Sequence, residues 1–189
     1  MPDGPDHPPT IELDAARLRP LRPSDADDLY AYLCDPAVTE LTGFPAASLS
    51  LAETMIGRAL ARWAAGEPSR WGLARRDDDQ LVGTCGFNDY SAAHRWAELA
   101  YDLARPYWGR GLMGQAVAAV LAWAFRGDQI DRVHAFVRID NARSARLLER
   151  TGFLREGCLR RYRICRGEAH DFYAYGLLRA DWVAAQPPG

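Results

Sequence analysis

The chain has 189 residues, 48% of them hydrophobic, and a formal net charge of -2. That length and apolar share suit one domain with a full core. The charge offers no electrostatic case for nucleic acid or an anionic membrane as partner, and no apolar run approaches the roughly 20 residues that span a bilayer.

The opening Met1 to Pro9 lacks the basic and apolar stretches of a secretion signal, so a cytoplasmic location is expected. Cys34, Cys85, Cys158 and Cys165 stand apart without CxxC spacing. Reduced thiols and no metal site are the expectation. Every basic side chain is arginine, which excludes a phosphate-binding P-loop lysine and a lysine Schiff base.

Residues 1–9 and 183–189 read as disordered tails around a single domain at 10–182. Thr10 to Leu21 alternates like one half-buried strand. Pro23-Ser24 starts a helix stopped near Cys34 by Asp35-Pro36. Ser50-Leu51-Ala52-Glu53 has the form of a capping box for a helix ending near Gly66. Strands follow at Trp71–Arg75, Leu81–Phe87 and Trp96–Leu103. Helix Gly111–Arg126, strand Arg132–Ile139 and helix Asn141–Arg150 come next, then strands around Phe153–Tyr162 and Phe172–Leu178. The pattern is mixed α/β with seven strands.

Two segments carry the chemistry. Tyr107-Trp108-Gly109-Arg110-Gly111-Leu112-Met113-Gly114 opens a long apolar helix. A helix start offers unpaired amides and about half a unit of positive charge, and glycines let an anion approach the backbone. The literal GxGxxG match is weak. A dinucleotide fold wants that motif directly after a strand at the start of a βαβ unit, whereas Ala104 to Trp108 intervene here. A purely structural glycine turn stays open. The second segment, Asn141 to Phe153, places an amide and a hydroxyl (Ser144) one turn apart on a helix closed by Gly152-Phe153.

Both segments resemble the GNAT N-acetyltransferase superfamily, specifically its ribosomal-protein N-terminal (Rim-type) branch. Trp108 to Met113 lies on its Gln/Arg-x-x-Gly-x-Gly/Ala loop, with Trp108 at the Gln/Arg position and Met113 at the Gly/Ala position. Asn141, Ser144, Leu147, Glu149, Gly152 and Phe153 match its Asn-x-x-Ser-x-x-Leu-Tyr-Glu-Lys-x-Gly-Phe pattern. Ala97 to Leu103 is similar to the branch's Ala-Glu-Ile-Gly-Tyr strand.

The resemblance implies a central, mostly antiparallel seven-stranded sheet with helices on both faces and a splayed parallel pair holding acetyl-CoA. It implies no metal. The backbone of Gly109, Arg110, Gly111, Leu112, Met113 and Gly114, with Trp108 beside it, would hold the diphosphate. Leu103 and Ala104 would pair with the pantetheine arm, Asn141 would hydrogen-bond it, and Ser144 would lie near the sulfur. Asn141 is equally a plain helix cap.

The implied reaction is transfer of the acetyl group to a primary amine by direct attack on the thioester. The amine must lose a proton, and Glu98, opposite the apolar side of its strand, is the candidate base. An ordinary surface glutamate is the alternative for Glu98; Asp89 and Asp102 are weaker candidates for the role, and His134 reads as structural. The tyrosine that often protonates the leaving thiolate is replaced by Leu148, which points to Ser144 as the acid. Arg163 stands where the branch can carry a glutamate.

These departures keep a second reading alive, a CoA-binding module with weak or no turnover. Phe87, Tyr90, Tyr162, His170 and Asp171 are candidate acceptor contacts, with Trp63, Trp71 and Tyr173 as further aromatics, and a core position is the commoner alternative for any one of the aromatics. The acceptor, whether a protein N-terminus or a small-molecule amine, is unspecified by any motif, and homodimerisation is left open.

Overall fold

The computed structural model describes residues 8–186. Of the two predicted tails, residues 1–7 and 187–189 lie outside that span. At the near end, the Trp71 indole donates to the Pro9 carbonyl at 3.0 Å. A last helix runs Arg179–Ala184, two residues beyond the expected boundary.

An eight-stranded sheet organises the chain, in the order β1-β2-β3-β4-β5-β6-β8-β7. Its strands are β1 (Ile11–Glu12), β2 (Ala16–Arg19), β3 (Arg70–Arg75), β4 (Leu81–Ser91), β5 (Trp96–Leu103), β6 (Arg132–Arg138), β7 (Leu154–Cys165) and β8 (Glu168–Leu178). The helices are α1 (Ala26–Leu33), α2 (Pro36–Thr39), α3 (Leu49–Ala64), α4 (Leu112–Arg126), α5 (Ala142–Arg150) and α6 (Arg179–Ala184).

Seven strands were expected and eight are present. The stretch read as one strand folds back on itself, because Leu13 N–H bonds to the Ala16 carbonyl and turns β1 against β2. The alternation changes phase there, apolar at Ile11, Leu13 and Ala15 and then at Ala16 and Leu18, and that one-residue slip is the mark of the reversal in the sequence. The cap of α3 is Ser48, which accepts from Leu51 N–H at 3.0 Å. Ser50 sits inside the helix. β7 and β8 are also longer than expected, forming one hairpin through Arg166 and Gly167 at positive φ.

Two cores flank the sheet. Val82 and Leu103 join a cluster with α4, Leu148 of α5 and Phe153. Their sequence neighbours Leu81 and Ala104 join another cluster with α1, α2 and α3. Adjacent strand residues point to opposite faces, so the clusters lie on opposite sides. In α4, Val117, Val120 and Leu121 are fully buried, each worth about 1.5–3 kcal/mol. That burial pins the helix body and leaves only its tip for a ligand.

Among the described residues the one parallel pairing is β5 with β6, and it is short. Only Trp96–Arg132, Ala97–Val133 and Glu98–His134 are in register. Beyond Glu98 the two strands part. At the same level β4 carries a bulge between Phe87 and Asp89, and a bulge bends and twists its strand. The result is a gap through the middle of the sheet, walled by β5 on one side and β6 on the other.

Candidate active site

Two cavities meet in that gap. The first, of about 410 Å³, is lined by Gly109, Gly111, Leu112, Met113 and Gly114, by Trp108, and by Asn141, Arg143, Ser144, Arg146, Leu147 and Arg150. The second, of about 500 Å³, is lined by Glu98, Phe136, Arg138, Arg163 and Phe172 on the strands and by Leu41 to Phe44 after α2. Tyr101, Asn141 and Ser144 belong to both.

The first cavity has the character of an anion cradle. Gly109 and Gly111 sit at φ +75 and +78, the left-handed region glycine tolerates, and a Cβ at either would meet nothing within 4 Å. Packing therefore does not demand these glycines; the backbone conformation and the open space above it do. Gly111 is the N-cap of α4 and provides no side-chain cap. The first-turn amides of Leu112, Met113 and Gly114 thus lack a side-chain acceptor, and the helix dipole favours a negative group there.

Arg143, Arg146 and Arg150 line the same cavity from α5. Arg143 lies 3.8 Å from the centre of the Trp108 ring, a cation–π contact that ties α5 to the glycine loop. Arg110, by contrast, turns to the Tyr107 ring at 5.6 Å and is not among the residues lining the cavity.

Strand edges set what else is available. Ala104 N–H donates to Val82 at 2.8 Å, and the Leu103 carbonyl accepts from the Trp108 indole at 2.8 Å. The Leu103 carbonyl and the Ala104 N–H, two of the backbone groups expected to meet a pantetheine arm, are therefore engaged within the protein. Antiparallel pairs alternate between bonded and non-bonded, so with Ala104 bonded to β4, Leu99 and Tyr101 turn their backbone groups into the gap. The free edge thus runs from Leu99 through Tyr101 up to the Leu103 N–H.

Asn141 caps α5, its side-chain oxygen accepting from Ser144 N–H at 3.1 Å, while the residue lines both cavities. The cap and the ligand-facing role are compatible. α5 closes through Gly152 at φ +93, with Phe153 N–H on the Leu148 carbonyl at 3.0 Å, the Schellman arrangement.

Leu148, at the position of the usual tyrosine, is fully buried in the core. A different phenol takes that neighbourhood. Tyr101 Oη lies 2.6 Å from Ser144 Oγ. Burial pushes the Tyr101 phenol upward from its ordinary value, outweighing the opposing pull of the Ser144 bond, so it stays protonated. Hydropathy grouped Tyr101 with apolar Leu99 and Leu103, and only the packing of β5 against α5 revealed its hydroxyl.

Glu98 lines the second cavity and is paired with Arg163, Nη2 to Oε1 at 3.1 Å. The arginine at the branch's glutamate position thus grips the glutamate on β5. Burial works against the Arg163 charge, but its hydrogen bond to Glu98 and that carboxylate's field raise its pKa overall. His134 stands beside Glu98 in the parallel register, with its ring 5.0 Å from Trp96 and 5.3 Å from Phe136. Burial lowers its pKa below 6.5, partly offset by the Glu98 charge.

The other carboxylates are otherwise engaged. Asp102 is buried and accepts from Tyr32 Oη at 2.5 Å, Thr84 at 2.9 Å and Arg70 at 2.5 Å. A carboxylate bonded on both oxygens holds its neighbours in place and is poorly placed to take a proton. Asp89 accepts from the adjacent Tyr90 N–H and lies outside the residues lining either cavity.

The acceptor candidates scatter. Phe87 is buried against Trp71 and Trp123, in a cluster that also takes Trp63. These are core residues on the α4 side, so Phe87, Trp63 and Trp71 are corrected from pocket to core. Tyr90 lines a separate shallow cavity with Glu67 and Arg95. Tyr173 lies under Arg155.

Asp171 accepts from Arg161 N–H at 2.7 Å, holding the bulge of β7, and His170 is the register partner of Arg163. Tyr162 stacks on Phe136 and Phe172 at 4.9 and 6.0 Å and so supports the wall behind Arg163. Leu41, Thr42 and Phe44, which cover the second cavity, carried no motif and were not anticipated.

Comparisons with known proteins agree with this architecture. The acetyltransferase (GNAT) domain family matches residues 16–154. An uncharacterized N-acetyltransferase, p20, from Bacillus licheniformis is 32% identical over 92% of this chain and 98% of its own. The [ribosomal protein uS5]-alanine N-acetyltransferase of Escherichia coli is 30% identical over 60% of this chain and 59% of its own. A solved structure of the ribosomal L7/L12 acetyltransferase RimL, in complex with coenzyme A, superposes with a TM-score of 0.82 at 20% identity, over 90% of this chain and 98% of that one. With the family match spanning most of the sheet and both chemistry-bearing segments, the chain belongs to the GNAT acetyltransferase family, on the branch that resembles the ribosomal-protein N-acetyltransferases.

Proposed function

We propose that this enzyme transfers an acetyl group from acetyl-CoA to a primary amine, a peptide α-amine or that of a small molecule, by direct attack. One observation carries the reading. An anion cradle and a carboxylate-bearing cavity open into each other at Tyr101, Asn141 and Ser144.

The residues fit the cosubstrate. The open glycine turn and the uncapped tip of α4 suit its diphosphate. Arg143, Arg146 and Arg150 suit the additional phosphate on its ribose, and the free edge of β5 suits the amide-bearing arm. Acetyl-CoA supplies an activated acyl carbon and a thiolate leaving group.

Glu98, on the α1–α3 face, takes the proton that the attacking amine loses. An α-amine of pKa about 8 costs only about 1.4 kcal/mol to deprotonate at pH 7, against about 4.6 kcal/mol for a lysine at about 10.4. An α-amine therefore asks little of its proton acceptor. Ser144 gives a proton to the departing sulfur, and Tyr101, protonated and 2.6 Å away, restores it. This pair substitutes for the tyrosine missing at Leu148 and weighs against a module without turnover. The four cysteines are free, as suits a reducing cytosol.

Thiol release from acetyl-CoA over a panel of amines tests the proposal. Amine-dependent release with a matching acetylated product is expected. CoA binding without release on any amine would reduce the protein to a binding module.

A further inference from the structure

The second cavity carries more cations than its partners explain. Arg70, Arg138 and Arg163 line it, and Glu98 is its one acidic lining residue among those described. Two of these arginines are already satisfied. Arg70 spends its donors on Asp102, Thr84 and Asn88. Arg138 forks onto both oxygens of Asp140 and reaches the Glu40 carbonyl.

Arg163 differs. Glu98 is the one carboxylate within 4 Å of it among the described residues, and only Nη2 makes that bond. The guanidinium is held within 5.1–5.7 Å of the ring centres of Phe136, Tyr162 and Phe172. An arginine fixed against aromatic faces is pre-oriented, so little entropy is lost when its remaining N–H groups bind. The carboxylate it binds is Glu98, the group that receives the amine in the reading above.

Resting on the acetyltransfer reading above, we propose that the acceptor is an amine whose own molecule carries a carboxylate a few bonds away. Glu98 takes the ammonium end and Arg163 the carboxylate. The acceptor thereby inserts its two charges between the two halves of an existing ion pair, so neither half is left without a counter-charge. A polyamine would bring its second positive charge against the arginine wall, and like charges there repel.

In the transfer itself the nitrogen bonds to the acetyl carbon as the carbon–sulfur bond breaks with its electron pair to sulfur. The bound ammonium first releases one proton through Glu98 to solvent, so that a neutral nitrogen attacks; its second proton then passes to Glu98, and Ser144 gives a proton to the sulfur, replaced through Tyr101 from solvent. Arg163 positions and selects; it does not react.

The test measures kcat/KM by thiol release for matched pairs. One pair is a free L-amino acid and its amide. Another is a peptide with aspartate as second residue and its asparagine counterpart, and spermidine is the polycationic control. The carboxylate-bearing member of at least one pair is expected to be preferred about tenfold or more, mainly through KM. The preference should shrink as salt rises. Whichever pair shows it identifies the source of the carboxylate.

Arg163→Gln should collapse the ratio, and Arg163→Lys, which keeps the charge, should restore part of it. Equal kcat/KM within both pairs, a preference for spermidine, or an undiminished ratio in a folded Arg163→Gln protein would overturn the assignment of acceptor class while leaving the enzyme standing. Failure of every amine despite CoA binding would instead remove the acetyltransfer reading, and this proposal with it.

Discussion

Gly111→Val probes the cradle most directly, because the structure separates its effect on folding from its effect on ligand. Gly111 sits at φ +78, and a Cβ added there would meet nothing within 4 Å, so no packing clash arises. The folding cost is conformational, about 1–2 kcal/mol for a side chain held in the left-handed region. In a chain of this size that lowers Tm by about 2–8 °C.

The ligand cost is separate. A branched side chain would occupy the open space from which a diphosphate reaches the amides of α4. Losing one or two charge-assisted hydrogen bonds worth about 1.5–3 kcal/mol each, in part, amounts to about 2–4 kcal/mol, or about 30- to 700-fold in Kd. Calorimetric titration with CoA on a variant whose melt is recorded in parallel measures both. Gly127→Ala is the control: that residue ends the same helix at φ -85 in open space, and CoA binding should be unchanged. A folded Gly111→Val protein with wild-type CoA affinity would refute the placement of the diphosphate.

Three more outcomes are expected. Glu98→Gln should slow transfer at least about tenfold with CoA affinity nearly unchanged, measured by steady-state kinetics beside calorimetry; unaltered turnover would take Glu98 out of the mechanism. Tyr101→Phe removes the 2.6 Å bond to Ser144, worth about 1–3 kcal/mol, so kcat should fall about 5- to 150-fold while CoA still binds. A wild-type kcat would leave Ser144 acting alone. His134 should titrate below 6.5 by NMR, since burial disfavours its charged form. Its contribution to stability is therefore present above pH 6.5 and is lost as pH falls through its depressed folded-state value. Because the Glu98 charge props that value up, Glu98→Gln should move the midpoint lower still, and an upward shift would contradict the contact.

The parts of the site that depend on local backbone were legible from residues alone. A glycine pair ahead of an apolar helix, an asparagine one turn before a serine, and a helix closed by Gly-Phe each encode their geometry within a few residues. The structure places all of them around one gap. The parallel pairing of β5 with β6 followed from the family resemblance, because no local pattern distinguishes a parallel from an antiparallel neighbour. The first strand illustrates a limit: the reversal at Leu13 to Ala16 shows in the sequence only as a one-residue slip of the alternation at Ala15-Ala16, too slight to separate a hairpin from a single strand.

Contacts between distant segments needed the folded chain. Phe87 and Trp71 could be pocket or core aromatics by residue type, and the turn of β4 and β3 that puts them under Trp123 decides for the core. Tyr101 looked like one more apolar residue because its ring does pack in the core, and only its hydroxyl reaches α5. Arg163 looked like the loss of a glutamate, yet it lies 65 positions from Glu98 and closes an ion pair with it.

By itself the sequence determined the cradle, the cap and the strand that bears the carboxylate, because backbone conformation and side-chain alternation are short-range consequences of residue type. Tertiary structure alone decided which phenol stands behind Ser144, which arginine holds Glu98, and how the glycine-loop cavity opens into the one that holds Glu98, since those depend on where β5 parts from β6 and what the far hairpin brings across the gap.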